Sequence, residues 1–310
     1  MKLVVPDLIS NSYFPVIAAA DLGFFAREGL DLQVELLFPV SEAYGALRAG
    51  KVDFVGGSAH SALAAFPRFE GVKLLAAQAQ GMYWFLVMRT DIGARRGQIE
   101  CVKGRTIGAA PWVEMGLRAL LSAAGIGIDR DEVRIVPVPG SQGAGVNFGV
   151  TAARALAERR IDGFWANGMG TEVAVREGAG TVVLDVRRGD GPKGCFDYTL
   201  SALAASEALI GRAPELAASA VRALVATQAA LREDPGLARS VGVKRFPAVE
   251  AELITPLIRR DLPYYDARIS PQTVSGMCQF AQRLGILDRN LAYEDVVATA
   301  YSALWDGPTR

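Results

Sequence analysis

The stretch Ser10-Asn11-Ser12-Tyr13-Phe14-Pro15, followed by Leu22-Gly23-Phe24-Phe25-Ala26-Arg27-Glu28-Gly29-Leu30 and then Leu47-Arg48-Ala49-Gly50-Lys51-Val52-Asp53-Phe54, decides the fold. A short apolar strand, Lys2–Val5, leads into the polar loop, and a helix rich in small residues follows it. A second strand, Leu32–Leu37, precedes a helix at Glu42–Leu47. A third strand, Val52–Gly56, opens into Gly57-Ser58-Ala59-His60. This β-loop-α-β-α-β order predicts an α/β protein, with polar residues gathered just past strand ends. In open α/β sheets, ligands bind there, outside the carboxyl edge.

Composition narrows the classes. At 310 residues the chain is long enough for two modest domains. Half of it is hydrophobic (51%), as an ordered core requires. Thirty-three basic residues balance thirty-three acidic ones. The basic pairs Arg95-Arg96, Arg159-Arg160 and Arg187-Arg188 are scattered, so no basic stripe marks a nucleic-acid partner. Cys101, Cys195 and Cys278 are widely spaced, which argues against a metal site and for reduced thiols. No run of about 18 apolar residues is present to insert into a membrane. Met1 leads straight into the first strand, without the basic, apolar and small-residue segments of a secretory leader.

Strand and helix signals alternate onward. Strands are expected at Leu74–Ala79, Phe85–Arg89, Val133–Val138, Ile161–Ala166, Thr181–Val186 and Tyr198–Ala204. Helices are expected at Glu114–Ala124, Val150–Arg159, Pro214–Arg232, Ala248–Arg260, Ser270–Leu284 and Tyr293–Leu304. The loop Pro139-Gly140-Ser141-Gln142-Gly143-Ala144-Gly145 lacks both the dinucleotide spacing and the Gly-Lys-Ser/Thr of a P-loop. No cofactor is therefore expected.

Phe24-Phe25, Glu28-Gly29-Leu30 and Gly50-Lys51-Val52-Asp53 resemble the NMT1/THI5-like and sulfonate/nitrate/taurine group of substrate-binding proteins. Val102-Lys103-Gly104-Arg105-Thr106-Ile107-Gly108 and Ile161-Asp162-Gly163 extend the likeness. The resemblance implies a periplasmic-binding-protein type II fold: two α/β lobes, each a mixed sheet flanked by helices, with a cleft between them. It implies lobes of residues 1–88 with 198–310 and of 89–197, with crossings near Val87–Asp91 and Cys195–Thr199. It further implies a strand at Glu100–Arg105. The partners it implies are a small-molecule ligand and an ABC permease, and the compartment it implies is the periplasm; with no leader in this sequence, a mature periplasmic chain and a cytoplasmic protein both stay open.

Pocket residues should then lie on post-strand loops of both lobes. Ser10, Asn11 and Tyr13 offer hydrogen bonds and a ring, although Ser and Asn equally serve as helix N-caps. Ser58 and His60, the only histidine, lie at a strand-to-helix turn. Tyr83, beside Trp84, and Trp112 are candidate ring walls. Glu114 could pair with a cationic or amidine-like group, or simply favour its helix N-terminus. Asn167 supplies an amide from the second lobe. This set, poor in Arg and Lys, points to a polar heteroaromatic, pyrimidine-like or amide-like ligand ahead of a small inorganic anion; sulfonates are the group's other organic class. The rival reading is a cytoplasmic lyase or hydrolase using His60, with Cys195 as a conceivable nucleophile; a metabolite sensor is the third. Pyrimidine synthases of the resembling group use a lysine a few residues before a histidine, and clustered cysteines. Here no lysine follows Lys51 before His60, and only Cys195 stands in Gly194-Cys195-Phe196.

Overall fold

A computed structural model of the chain describes residues 1–141 and 145–307. Of the glycine-rich loop, Gln142-Gly143-Ala144 lie outside the described residues. The described residues form ten strands: β1 (Lys2–Val5), β2 (Gln33–Leu36), β3 (Phe54–Ser58), β4 (Val72–Ala79), β5 (Phe85–Arg89), β6 (Thr106–Ala109), β7 (Arg134–Val136), β8 (Gly163–Ala166), β9 (Gly180–Asp185) and β10 (Ser201–Ser206). They form two five-stranded sheets, ordered β2-β1-β3-β10-β4 and β7-β6-β8-β5-β9.

The sheets share one plan. In each, a central strand pairs in parallel with two neighbours: β1 with β2 and β3, β6 with β7 and β8. In each, an antiparallel strand arriving from the other half then inserts at the fourth position: β10 between β3 and β4, β5 between β8 and β9. These exchanged strands lock the two halves into one topology. They also direct the carboxyl ends of β1, β3, β6 and β8 into loops between the lobes.

Close packing explains the residues that build the first sheet. Helix Phe14–Asp21 is apolar on almost every side and buries Phe14, Val16, Ile17, Ala18 and Ala19. Each large side chain so buried contributes about 1.5–3 kcal/mol. The helix settles close because β3 carries Gly56. A Cβ there would lie 3.0 Å from Val5 and 3.1 Å from Val16.

Phe85–Arg89 belongs whole to the second sheet, so the chain has crossed before Phe85. The crossing lies at residues 80–84 rather than at Val87–Asp91. The return segment Cys195–Tyr198 lies alongside it: Met82 N–H donates to the Phe196 carbonyl at 2.9 Å. Gly81 stands against the Phe196 ring, which a Cβ would strike.

Two further expectations change. The strand placed at Glu100–Arg105 begins only at Thr106. Ile99–Val102 form a 3₁₀ turn instead, and Gly104 turns the chain with φ near +70°. The helix expected over Tyr293–Leu304 is interrupted at Val297, which bridges to Leu74 of β4. Among the described residues, no helix is long and apolar enough to cross a membrane.

Candidate functional site

The loop after β1 carries Asp7 into the seam between the lobes, where it is only 3% exposed. Its Oδ1 accepts from Ile9 N–H at 3.0 Å. Its Oδ2 accepts from Gly149 N–H at 3.1 Å and from Asn167 Nδ2 at 3.0 Å, both across the seam. Burial nevertheless pushes its carboxyl up to about 7 against those three donors. Desolvation therefore outweighs the hydrogen bonds.

Both cross-seam donors come from helix starts. Gly149 is the second residue of helix Phe148–Ala157, and Asn167 caps helix Gly168–Arg176 by accepting from Met169 and Gly170 N–H. The helices approach this closely because Gly149 and Gly170 face each other. A Cβ on Gly149 would lie 2.7 Å from Asn167 Oδ1. On the opposite flank, Asn147 Oδ1 accepts from Leu8 and Ile9 N–H at 3.0 and 3.2 Å.

Around Asp7 stand rings. Tyr13 and Tyr83 share a hydroxyl–hydroxyl hydrogen bond of 2.8 Å. Phe38 and Phe148 stack across the seam, centroids 5.8 Å apart and 16° from parallel. With Pro6, Val40, Trp84, Ala110, Pro111, Val113, Ala166 and Asn167 they line one cavity. Only about 30 Å³ of it can hold the centre of a water molecule, room for roughly two waters. The lobes are closed on one another.

Tyr13, Tyr83, Trp84 and Asn167 are thus brought together around one cavity. The other named residues do not line this cavity. Ser10 Oγ accepts from Ser12 N–H within its own turn. Asn11 donates through Nδ2 to Asp261. Ser58 Oγ bonds Ser61 Oγ at 2.6 Å. Glu114 is half-buried, its carboxyl raised by desolvation, with Oε2 lacking a protein partner. Trp112 meets the other lobe through its carbonyl, held by a left-handed backbone (φ near +70°) that is rare for a bulky residue. Sequence reasoning missed Asp7, Phe38 and Phe148. Asp7 offered one signal, an acid standing alone just past a strand end.

His60 is a strut. Its Nε2 lies 3.0 Å from the Trp112 carbonyl, which can only accept, so Nε2 carries the proton and Nδ1 accepts from the Thr199 hydroxyl at 3.0 Å. Burial pushes the ring down to about 4. Because the folded value is depressed, stability is complete above about pH 6.5 and is lost as pH falls toward 4. Acidification from pH 7 to about 5 should cost the wild type about 2 kcal/mol through His60. Asp7, raised when folded, works in the opposite direction over an overlapping range. The quantity to measure is therefore the difference between wild type and His60→Gln in urea unfolding. Identical pH slopes in the two proteins would refute the strut.

The rest of the interlobe seam is held by Arg187. Its Nε donates to the Gln80 carbonyl at 2.8 Å, and its guanidinium lies 5.4 Å from the centre of the Tyr83 ring. Nη1 stands 3.5 Å from Asp261 of the first lobe. Arg188 Nη2 donates to the Arg260 carbonyl at 2.9 Å. For catalysis the arrangement offers little. The Cys195 thiol faces the Asp190 carbonyl and is pushed up to about 11 by burial, while the polar partners of His60 are Thr199, Trp112 and Ser61. No group of three or more His, Cys, Asp or Glu among the described residues could hold a metal.

Two lobes with exchanged strands and a ring-lined cavity at their seam define a type II binding-protein fold. A family model described as NMT1/THI5 like matches residues 10–238, and the chain belongs to that family. Solved structures share the fold at low identity. A putative sulfonate ABC transporter periplasmic sulfonate-binding protein from Methylobacillus flagellatus KT is 15% identical with TM-score 0.66, covering 98% of this chain and 92% of its own. The periplasmic nitrate-binding protein of Synechocystis PCC 6803 is 15% identical with TM-score 0.69, covering 100% and 85%. A desulfurization enzyme, DszB, is 16% identical with TM-score 0.63, covering 96% of each chain. No curated protein sequence matches the chain.

Proposed function

We propose that this protein is the capture component of an ABC-type importer, closing two lobes over a small organic ligand with a polar heteroaromatic ring and passing it to a permease from the periplasm. The observation that carries the reading is the seam cavity, walled by Tyr13, Tyr83, Trp84, Phe38 and Phe148 and carrying polar groups from both lobes. Rings supply flat apolar contact, and a few placed polar groups fix orientation. Among the described residues no Lys, Arg or His lines the cavity, so a bare nitrate or sulfonate group would find no side-chain countercharge there. An enzyme reading would need a nucleophile beside a base, and His60 and Cys195 have separate partners.

A thermal-shift panel of aminopyrimidines, aliphatic sulfonates and nitrate, followed by mass spectrometry, tests it. Pyrimidine-type compounds should stabilise the protein without turnover, and Tyr83→Ala should weaken their binding by at least about tenfold. Product formation abolished by His60→Ala would replace the receptor with an enzyme.

A further inference from the structure

Resting on the reading of the seam cavity as the ligand site, we propose that Asp7 makes it selective for ligands bearing a protonated or strongly N–H-donating nitrogen, such as amidines and amino-substituted heterocycles, and excludes sulfonates, carboxylates and nitrate.

The N-terminus of a helix offers free N–H groups and a positive dipole end, a ready cradle for an anion. Two such ends, those of helices Phe148–Ala157 and Gly168–Arg176, converge on the cavity. Their donors, Gly149 N–H and the Asn167 side chain, are already engaged by the Asp7 carboxyl. The protein has placed its own anion where a ligand's anion would sit. An incoming sulfonate would meet a filled cradle and, with Asp7 ionised, a like charge.

The same geometry invites a cation. A carboxylate has about four acceptor positions. Three are taken: one on Oδ1 by Ile9 N–H and two on Oδ2. Oδ1 keeps capacity for one more donor. Five aromatic residues, Tyr13, Tyr83, Trp84, Phe38 and Phe148, also line the cavity, and an aromatic ring attracts positive charge wherever its face is presented. Among the described residues, no other carboxylate and no ammonium or guanidinium lines the cavity.

The charge state adds a second signature. With its carboxyl raised to about 7, Asp7 is partly protonated near neutrality, and a cation would bind to the ionised form. The titratable groups around it do not change charge in that range. Burial raises the Tyr13, Tyr44 and Tyr83 phenols, and His60 lies at about 4. Arg187, beyond Tyr83, stands against Asp261. Affinity for a permanent cation should therefore climb roughly tenfold per pH unit below about 7 and level off above it.

The test is isothermal titration of the full chain with benzamidine, benzamide, benzoate and benzenesulfonate from about pH 5.5 to 8. Benzamidine should bind at least about tenfold tighter than benzamide and follow the rising pH profile, with no measurable heat from either anion. Asp7→Asn should abolish both the preference and the slope. The wild-type pH profile stands alone if that variant fails to fold. Binding of benzenesulfonate or benzoate at least as tight as benzamidine, or a flat profile for benzamidine, would overturn the selectivity and leave the receptor reading in place. Binding of none of the four, together with no stabilisation in the thermal-shift panel, would overturn both.

Discussion

Arg187→Met should lower the stability of the protein by about 3–5 kcal/mol, the cost of breaking a buried ion pair by removing one partner. The Arg187 and Asp261 side chains are 3% and 2% exposed. Nη1 and the carboxylate attract one another at 3.5 Å, Nη2 has no protein partner, and desolvation pulls the guanidinium below its usual value. The pair is therefore dominated by burial, and its net contribution is smaller than the cost of breaking it. Removing Arg187 also orphans the Gln80 carbonyl at the crossing segment. Asp261 would retain Arg260 Nε at 3.2 Å and Asn11, which places the cost toward the lower end of that range. Urea unfolding of Arg187→Met, Asp261→Leu and the double variant measures the coupling. Recovery of much of the loss in the double variant is expected, because two apolar side chains then replace the pair. A single-variant loss under about 1 kcal/mol would show that the pair holds nothing.

Gly170→Ala should be nearly as severe, at about 3 kcal/mol, the upper end of overpacking in a core. Its added methyl would stand 2.2 Å from the Gly149 carbonyl oxygen. The obstacle is backbone, so no rotamer change relieves it, and the two helix starts must separate. Separation moves Gly149 N–H and Asn167 away from Asp7. Ligand affinity should then fall together with stability, whereas Gly211→Ala, with open space around its Cβ, should leave affinity unchanged. Thermal unfolding and titration of both variants check this. A folded Gly170→Ala protein with wild-type affinity would show that the crossing does not set the site.

Much of the architecture was legible because it is local. β1 and β5 fall on the expected residues, and β2 lies inside its expected stretch. Short apolar runs bounded by Gly, Pro and polar residues carry that information in a few neighbours. The strand at Thr106 was misplaced because the charged turn around Gly104 ends the preceding 3₁₀ segment, a matter of backbone conformation rather than hydropathy. The break at Val297 depends on β4, more than 200 residues away.

The site was less legible for the same reason. Tyr13, Tyr83 and Asn167 stood on post-strand loops and could be named. Asp7 drew no reading from the sequence, because the donors that engage it stand about 140 and 160 positions later. His60 stood out as a lone histidine, yet its role comes from a carbonyl and a hydroxyl contributed by the opposite lobe and the return crossing.

The bonds between the lobes have a consequence for speed. Asp7, Asn147, His60 and Arg187 hold the closed form by contacts the protein makes with itself, and the space that remains has room for only about two waters. A ligand of several heavy atoms must wait for these bonds to let go. Capture is then gated: at high concentration its rate reaches a ceiling set by opening rather than by collision. The fraction of molecules open at any instant divides directly into the apparent affinity. On the proposed capture role, residues outside the cavity lining, His60 and Arg187 among them, would set how quickly and how tightly a ligand is held.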